Sequence, residues 1–245
     1  MLTKEELYQF EEEVKQMYLD GKLRSPLHLS GSIDGFLEDR LIRIFEEIKP
    51  DDWVFTTYRS HYHALLKGVS KEWLKAWILD NKSIHVMNKE HKIVTSAIVA
   101  GTLPVALGVA LGIKINERYL DLQQWKCDEH DEGCIVDNRT KEYAIKTCEK
   151  HTPRHVWVFV GDMTFEHGTF HEVYKFAKRN DLPMTFIIED NGLSTDTPTQ
   201  QIWGEEDRDV RVIRISYKRK YPHYGVGVFV DFKGDEELKQ EGGNF

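Results

Sequence analysis

Two oxygen-bearing side chains, Asp162 and Asn191, each follow an apolar run that ends in a turn. The first run, His155 to Val160, leads into Gly161-Asp162; the second, Met184 to Glu189, leads into Asp190-Asn191-Gly192. Continuous apolar runs of this length suit strands buried on both faces. Between them Gly168 to Asn180 reads as a helix with Phe170, Val173, Tyr174 and Ala177 on one side. Strand, helix, strand makes a βαβ unit with parallel strands. Its strands end on one edge of the sheet, where ligands of such sheets bind. A carboxylate and an amide oxygen converging there would suit Mg²⁺, which takes one or two protein oxygens and fills its octahedron with water and phosphates. The same residues also suit a helix cap at Asp162 and a plain turn at Asn191-Gly192. Spacing does not choose between the two.

A second cluster is Tyr58-Arg59-Ser60-His61-Tyr62-His63, after the short strand predicted over Asp52 to Tyr58. Arginine is well shaped for phosphate, and neighbouring rings suit a heterocycle. A surface ion pair with turn histidines explains the same residues without a ligand.

Other elements must position these groups. Thr3-x-x-Glu6 is a capping box opening a helix that stops at Gly21, with Leu7, Phe10, Val14 and Met17 on one face. A second helix is expected over Gly35 to Ile48, ended by Pro50, and a third from about Ser70. Asn81 to Ser96 reads as a loop, and an apolar helix follows over about Thr102 to Glu117. The charge-free run Thr95 to Ile113 holds Pro104 and three glycines, which favours a buried helix over a membrane span. The polar stretch 119–154 reads as an insertion. Val210 to Ile215 and Val226 to Phe232 could add strands, and 234–245 is an acidic tail. The expected fold is α/β, a parallel sheet flanked by helices, with one domain over 1–233.

Composition supports this and removes other classes. At 245 residues with 40% hydrophobic and 30% charged side chains, the chain can form one self-sufficient core. A net charge of −8 disfavours nucleic-acid or anionic-membrane partners. Three irregularly spaced cysteines and a charged start without an apolar segment imply a reducing, cytoplasmic setting. Cys127, His130, Cys134, Cys148 and His151 could supply a zinc site, but their spacing matches no standard finger. A solvated excursion is the favoured reading.

Four segments, in order, resemble the alpha subunit of thiamine-diphosphate-dependent 2-oxo acid dehydrogenases, the decarboxylating component. GKLRSPLHLSG resembles the segment with an active-site histidine. VFTTYRSHYHALLKGVS resembles the tyrosine-arginine-x-histidine segment, and SAIVAGTLPVALGVALGIK an alanine- and glycine-rich one. VFVGDMTFEHGTFHEVYKFAKRNDLPMTFIIEDNGLSTDTPT resembles the thiamine-diphosphate signature, and together the four cover roughly residues 3 to 199.

The resemblance implies a thiamine-diphosphate-binding fold. It assigns Mg²⁺ to Asp162, Asn191 and the backbone carbonyl of Leu193. Tyr58 and Arg59 would meet the diphosphate, Gly161 and Met163 would line its approach, and the Val99 backbone would face the aminopyrimidine. His28, His61 and His85 would stand near the reacting carbon. The cofactor's activating glutamate would come from a separate beta subunit, in an assembly of two alpha and two beta chains acting on a 2-oxo acid. A transketolase-type transfer and a non-catalytic scaffold are the alternatives.

The chain departs from the pattern at several positions. Met163 stands where the motif has glycine, Glu166-His167 replace Asn-Gln, and Asp190 replaces the first terminal asparagine. The chain also reads as short after the second metal strand, without the usual phosphorylatable loop. His223, in YPHYG, reads as a turn histidine.

Overall fold

The computed structural model describes residues 2–128, 154–204, 210 and 212–225, with side chains of 118–128 outside that description. The sheet comprises β1 (Trp53–Thr57), β2 (Met87–Asn88), β3 (Ile93–Ser96), β4 (Val156–Gly161), β5 (Met184–Asp190) and β8 (Ile213–Ser216). Their order is β2-β3-β1-β4-β5-β8, and every pair is parallel except β2 with β3. A small antiparallel hairpin, β6 (Leu193–Ser194) and β7 (Thr197–Pro198), stands at the end of β5.

Helices cover both faces, which is why β4 is an unbroken apolar run. Its Trp157 and Phe159 turn to a core shared with α1 (Lys4–Leu19), α2 (Phe36–Glu47), α3 (His61–Leu66) and α4 (Lys71–Leu79). Its Val156, Val158 and Val160 turn to the opposite core, built with α5 (Leu103–Asp128) and α7 (Gly168–Arg179). Between β4 and α7 lies a single turn, α6 (Asp162–Phe165), and α8 (Thr199–Trp203) follows the hairpin.

The capping box is present: the Thr3 side chain accepts from Glu6 N–H, and the Glu6 carboxylate accepts from Thr3 N–H. Leu7, Phe10 and Val14 are buried as the periodicity requires, but so is Glu11 on the same face. Its carboxylate accepts from the backbone N–H of Ser30 at 2.7 Å and of Gly31 at 2.9 Å. Glu38, also buried, does the same for Ser32 N–H at 2.9 Å. Two buried carboxylates thus pin the loop that carries His28.

The loop expected over Asn81 to Ser96 is corrected in part: it holds β2 and β3, with β3 paired parallel to β1. Only Ile93 and Thr95 of β3 are buried, so the strand is four residues long and half polar. That leaves little alternation for the sequence to display. The apolar helix also continues past its expected end at Glu117, to Asp128. The rest of the expected insertion, the strand over Val226 to Phe232 and the acidic tail lie outside the described residues. Among the described residues no helix is long and apolar enough to cross a membrane.

The topology locates a cleft. After β1 the chain enters α3 on one face of the sheet; after β4 it enters α6 and α7 on the other. Adjacent parallel strands whose exits diverge leave a crevice at their carboxyl ends.

Candidate active site

The crevice is a cleft of about 590 Å³, counting its open mouth. Thr56 to Arg59 line it from β1, Ser96 and Ile98 to Ala100 from the end of β3 and the turn after it, Val160 to Thr164 from β4 and the turn after it, and Glu189, Asn191 and Leu193 from β5 and the hairpin. All eight cofactor- and metal-binding residues expected from sequence lie in this wall: Tyr58, Arg59, Val99, Gly161, Asp162, Met163, Asn191 and Leu193.

The oxygen donors are oriented by local bonds. Asp162 is 4% exposed, and its carboxylate accepts from the Thr199 hydroxyl. Burial pushes its carboxyl up to about 6, helped by the nearby Asp190 charge and opposed by Thr199 and Arg59. The Asn191 amide is held at both ends. Its Oδ1 accepts from Leu193 N–H at 2.9 Å, and its Nδ2 donates to the Tyr217 hydroxyl at 3.2 Å. Tyr217, buried, has its phenol pushed up to about 12, so it stays protonated.

The Leu193 carbonyl is freed by hairpin geometry. Leu193 pairs with Pro198, and the Thr199 N–H donates to the Gly192 carbonyl at 2.9 Å. That bond makes Leu193 and Pro198 a non-hydrogen-bonded pair, whose own carbonyls turn away from the partner strand. Gly192 takes φ +74°, a value glycine adopts without strain.

Asp190, the departure from the expected asparagine, is committed elsewhere. Its carboxylate accepts from Gly192 N–H at 3.0 Å and pairs with Arg214 at 2.7 Å. It therefore closes the turn and leaves the metal position to Asp162 and Asn191.

The opposite wall is built from distant segments. Arg59 Nη2 lies 2.7 Å from His223 Nε2, and the other nitrogen of that ring, Nδ1, meets His28 Nδ1. Arginine can only donate, so His223 Nε2 accepts, its Nδ1–H donates to His28, and the remaining proton of neutral His28 sits on Nε2. Burial and the Arg59 charge favour these neutral rings: His28 is lowered to about 3 and His223 is lowered further. The His28 ring centroid stands 4.5 Å from that of Tyr58.

His223 was expected as a turn histidine; it is 7% exposed and stands with His28 behind Tyr58 and Arg59, neither ring being among the residues that line the cleft. The segment 217–224 runs back along the His28 loop, with Leu27 and Tyr224 exchanging two backbone hydrogen bonds at 2.9 and 3.1 Å. Arg219 ties it to the hairpin through the Thr195 carbonyl at 2.9 Å and Asp196 at 2.6 Å. The single segment thus touches both walls.

The other expected histidines lie elsewhere. His61 is fully buried behind the wall, its Nε2 3.0 Å from Ser83 Oγ and its Nδ1 3.8 Å from Glu11. His85 is exposed and outside the cleft lining; its backbone carbonyl accepts from the Trp77 indole. Sequence reasoning also missed Glu189, a buried carboxylate of the cleft wall 3.2 Å from His63, and Thr199. A glutamate at the end of an apolar strand was the available signal.

Thiamine diphosphate with Mg²⁺ fits what is present. Arg59 Nε is buried without a hydrogen-bond partner, a donor suited to an anion. A Cβ added at Gly161 would meet nothing within 4 Å, and its φ of −79° suits any residue. Neither turn nor packing requires glycine there, and the position lines the cleft. Among the described residues no cluster of three or more histidine, cysteine or acidic side chains could hold a metal. A site of one carboxylate, one amide and one carbonyl is the kind Mg²⁺ tolerates. The possible zinc cysteines lie outside the described side chains.

Comparison with known proteins gives the same direction. Residues 37–206 match the family described as dehydrogenase E1 component. The chain is 27% identical over 211 residues to pyruvate dehydrogenase E1 component subunit alpha-3, chloroplastic, of Arabidopsis thaliana, covering 78% of this chain and 42% of that protein. It is 26% identical over 192 residues to pyruvate dehydrogenase E1 component subunit alpha of Porphyra purpurea, covering 74% and 47%. It is 23% identical over 203 residues to the alpha subunit of acetoin:2,6-dichlorophenolindophenol oxidoreductase of Bacillus subtilis, covering 79% and 50%. The chain thus spans half or less of the length of these relatives. The matched residues take in β1, β3, β4, β5 and the hairpin, the elements that frame the cleft, and the chain belongs to the dehydrogenase E1 component family.

Proposed function

We propose that this chain is the alpha-type half of a thiamine-diphosphate-dependent enzyme that decarboxylates a 2-oxo acid, completed by a separate beta subunit. The observation that carries the reading is the convergence of Tyr58, Arg59, Asp162, Asn191 and Leu193 on one cleft, from segments up to 135 residues apart. The relatives named as pyruvate dehydrogenase alpha subunits support the reaction class.

In this reading Asp162, Asn191 Oδ1 and the Leu193 carbonyl hold Mg²⁺, while Arg59 and Tyr58 bind the diphosphate. When bound, thiamine diphosphate supplies the nucleophile and electron sink that cleave a bond beside an oxo group. The protein orients and shields. The Val99 backbone would face the ring, and Gly161 would leave space beside the metal carboxylate. Arg59 stays cationic against the phosphates and, through His223, keeps the exchangeable proton of His28 on Nε2. Neutral His28 then presents its Nε2–H as a hydrogen-bond donor and does not carry a charge of its own. Of the three expected histidines, His28 is the one seated against Tyr58.

Ile98, Val99 and Val105 at and beside the mouth are exposed apolar groups, which supports a covering partner. We take that partner to be a beta chain, in an assembly of two copies of each.

The test is co-expression with a beta-type partner, followed by cofactor analysis of the purified complex. Bound thiamine diphosphate with Mg²⁺, and release of carbon dioxide from a 2-oxo acid, are expected. A complex that binds neither, at saturating cofactor, would overturn the reading.

A further inference from the structure

Two consecutive residues of α6 are gripped by two residues one turn apart on α8. Asp162 takes a hydrogen bond from the Thr199 hydroxyl, and the Met163 thioether takes one from the Trp203 indole N–H at 2.9 Å. Residues four apart on a helix share a face, so α8 presents both groups to α6 at once. Thr199 also anchors α8 to the hairpin, through its N–H on the Gly192 carbonyl. The carboxylate, the free carbonyl of Leu193 and the thioether are thus registered against one five-residue helix.

Met163 needs such an anchor. It immediately follows the buried carboxylate and lines the cleft. A thioether has three rotatable bonds and fills whatever space is offered. Left free beside Gly161, it could enter the room that glycine keeps open.

We propose that α8 is a positioning element for the cofactor site: Thr199 fixes the Asp162 carboxylate for its metal, and Trp203 fixes the Met163 thioether as a rigid part of the cleft wall. This rests on the proposed thiamine diphosphate and Mg²⁺ site. Its residues touch the metal ligand and the wall, and act on the cofactor only through them. Groups that orient metal ligands typically carry a 10- to 100-fold effect on affinity.

The experiment separates the two grips. Mn²⁺ serves as the metal probe, read by water-proton relaxation on the complex with its beta-type partner and thiamine diphosphate. Thr199→Val keeps the shape and removes the hydroxyl, and is expected to weaken Mn²⁺ at least roughly tenfold. Thr199→Ser keeps the hydroxyl and is expected to restore affinity to within about threefold of wild type. Equal Mn²⁺ affinity in wild type and Thr199→Val would overturn the first grip, as would a Thr199→Ser variant as weak as Thr199→Val.

The second grip is read by methyl NMR of the full chain labelled at methionine, with the Met163 signal assigned through Met163→Leu. Trp203→Phe is expected to move that signal and to weaken thiamine diphosphate several-fold. In the background Met163→Gly the same Trp203→Phe change should have no effect on cofactor affinity. An unmoved methyl signal, or additive effects of the two substitutions, would overturn it. A wild-type complex that binds no cofactor would overturn the functional reading and the positioning role with it, while the methyl shift would still decide whether Trp203 holds Met163.

Discussion

The cleft has two walls, and they are held by different means. The wall of Asp162, Asn191 and Leu193 is mostly local: two strand ends, a tight hairpin and the helix after it. Asn191 is bonded to Leu193 two residues on, and Asp162 to a threonine just past the hairpin. The wall of Tyr58 and Arg59, backed by His28, has one short-range bond, Arg59 N–H to Thr57 Oγ1 at 3.2 Å. The rest of its order comes from Glu11, 17 residues from His28, and from residue 223, 195 residues away. A wall of local turns is fixed once its strands pair. A wall joined across the chain is fixed only when the whole domain has closed. Substitutions in the first should therefore damage ligand binding with little loss of stability, and in the second should damage both.

Asp162→Ala should break the local wall most severely. It removes the one carboxylate of the metal site and leaves the Thr199 hydroxyl without its acceptor. Loss of a buried charge partner costs roughly 3 kcal/mol or more, on the order of 100-fold in affinity. Calorimetry with thiamine diphosphate and Mg²⁺ on the partnered complex should show no binding at concentrations that saturate wild type. The midpoint of chemical unfolding should change little, because burying that carboxylate is itself unfavourable. An Asp162→Ala complex with intact affinity would place the metal elsewhere.

His223→Leu should break the distant wall. It strands one Arg59 donor and one His28 acceptor, each buried and each worth roughly 1–3 kcal/mol when unpaired. Urea denaturation should therefore show a loss of about 2–6 kcal/mol. Cofactor affinity should fall less than in Asp162→Ala, since Arg59 retains its charge. An unchanged midpoint would show that the 217–224 segment merely rests on this wall.

The contrast follows what the amino-acid sequence made readable. The strand ends of the local wall were legible because one βαβ unit carries them within 40 residues, while the metal role of Asp162, Asn191 and Leu193 came from the family resemblance, since spacing left a cap and a turn equally open. The sheet order around β4 and β5 was legible for the same reason. β3 was not, since four half-polar residues show no alternation. His223 was misread because its burial depends on Leu27 and Tyr224 pairing across nearly the whole chain. His61, in turn, carries the right motif and lies in the core: motif spacing does not say which side of a six-residue helix meets the cleft. Glu11 offered a usable signal, a lone carboxylate in the Leu7, Phe10, Val14 stripe, which marks a buried backbone anchor.

The distant wall should also carry the larger share of the pH dependence, beside the raised Asp162 of the local wall. His28 has a folded pKa of about 3 against an ordinary value of 6.5, so the folded state binds fewer protons between those limits. Its contribution is present above about pH 6.5 and is lost as pH falls toward 3. Glu11 has the opposite sign: burial raises it from 4.5 to about 8, so the folded state keeps a proton the unfolded state releases, and stability falls as pH rises through that window. Each group contributes up to about 1.4 kcal/mol per pH unit. His28→Asn should flatten the acid limb of stability against pH, and Glu11→Gln the limb between about 5 and 8. Limbs unchanged in both variants would remove titration from the account of this wall.

A small stability effect of the opposite sign is expected at Gly161, and it sharpens the comparison most. Glycine here adopts φ −79° and ψ 164°, ordinary extended backbone, and an added Cβ meets no protein atom within 4 Å. Removing a glycine from such a position restricts the unfolded chain and should stabilise the fold slightly, by about 0.4–1 kcal/mol. Gly161 nonetheless lines the cleft, so the added Cβ should take room from the ligand. Gly161→Ala should therefore raise the unfolding midpoint while weakening thiamine diphosphate several-fold, opposite signs from one methyl group. Stability and affinity that rose together would show that the bare position serves the chain's folding, and that the ligand approaches the carboxylate from another side.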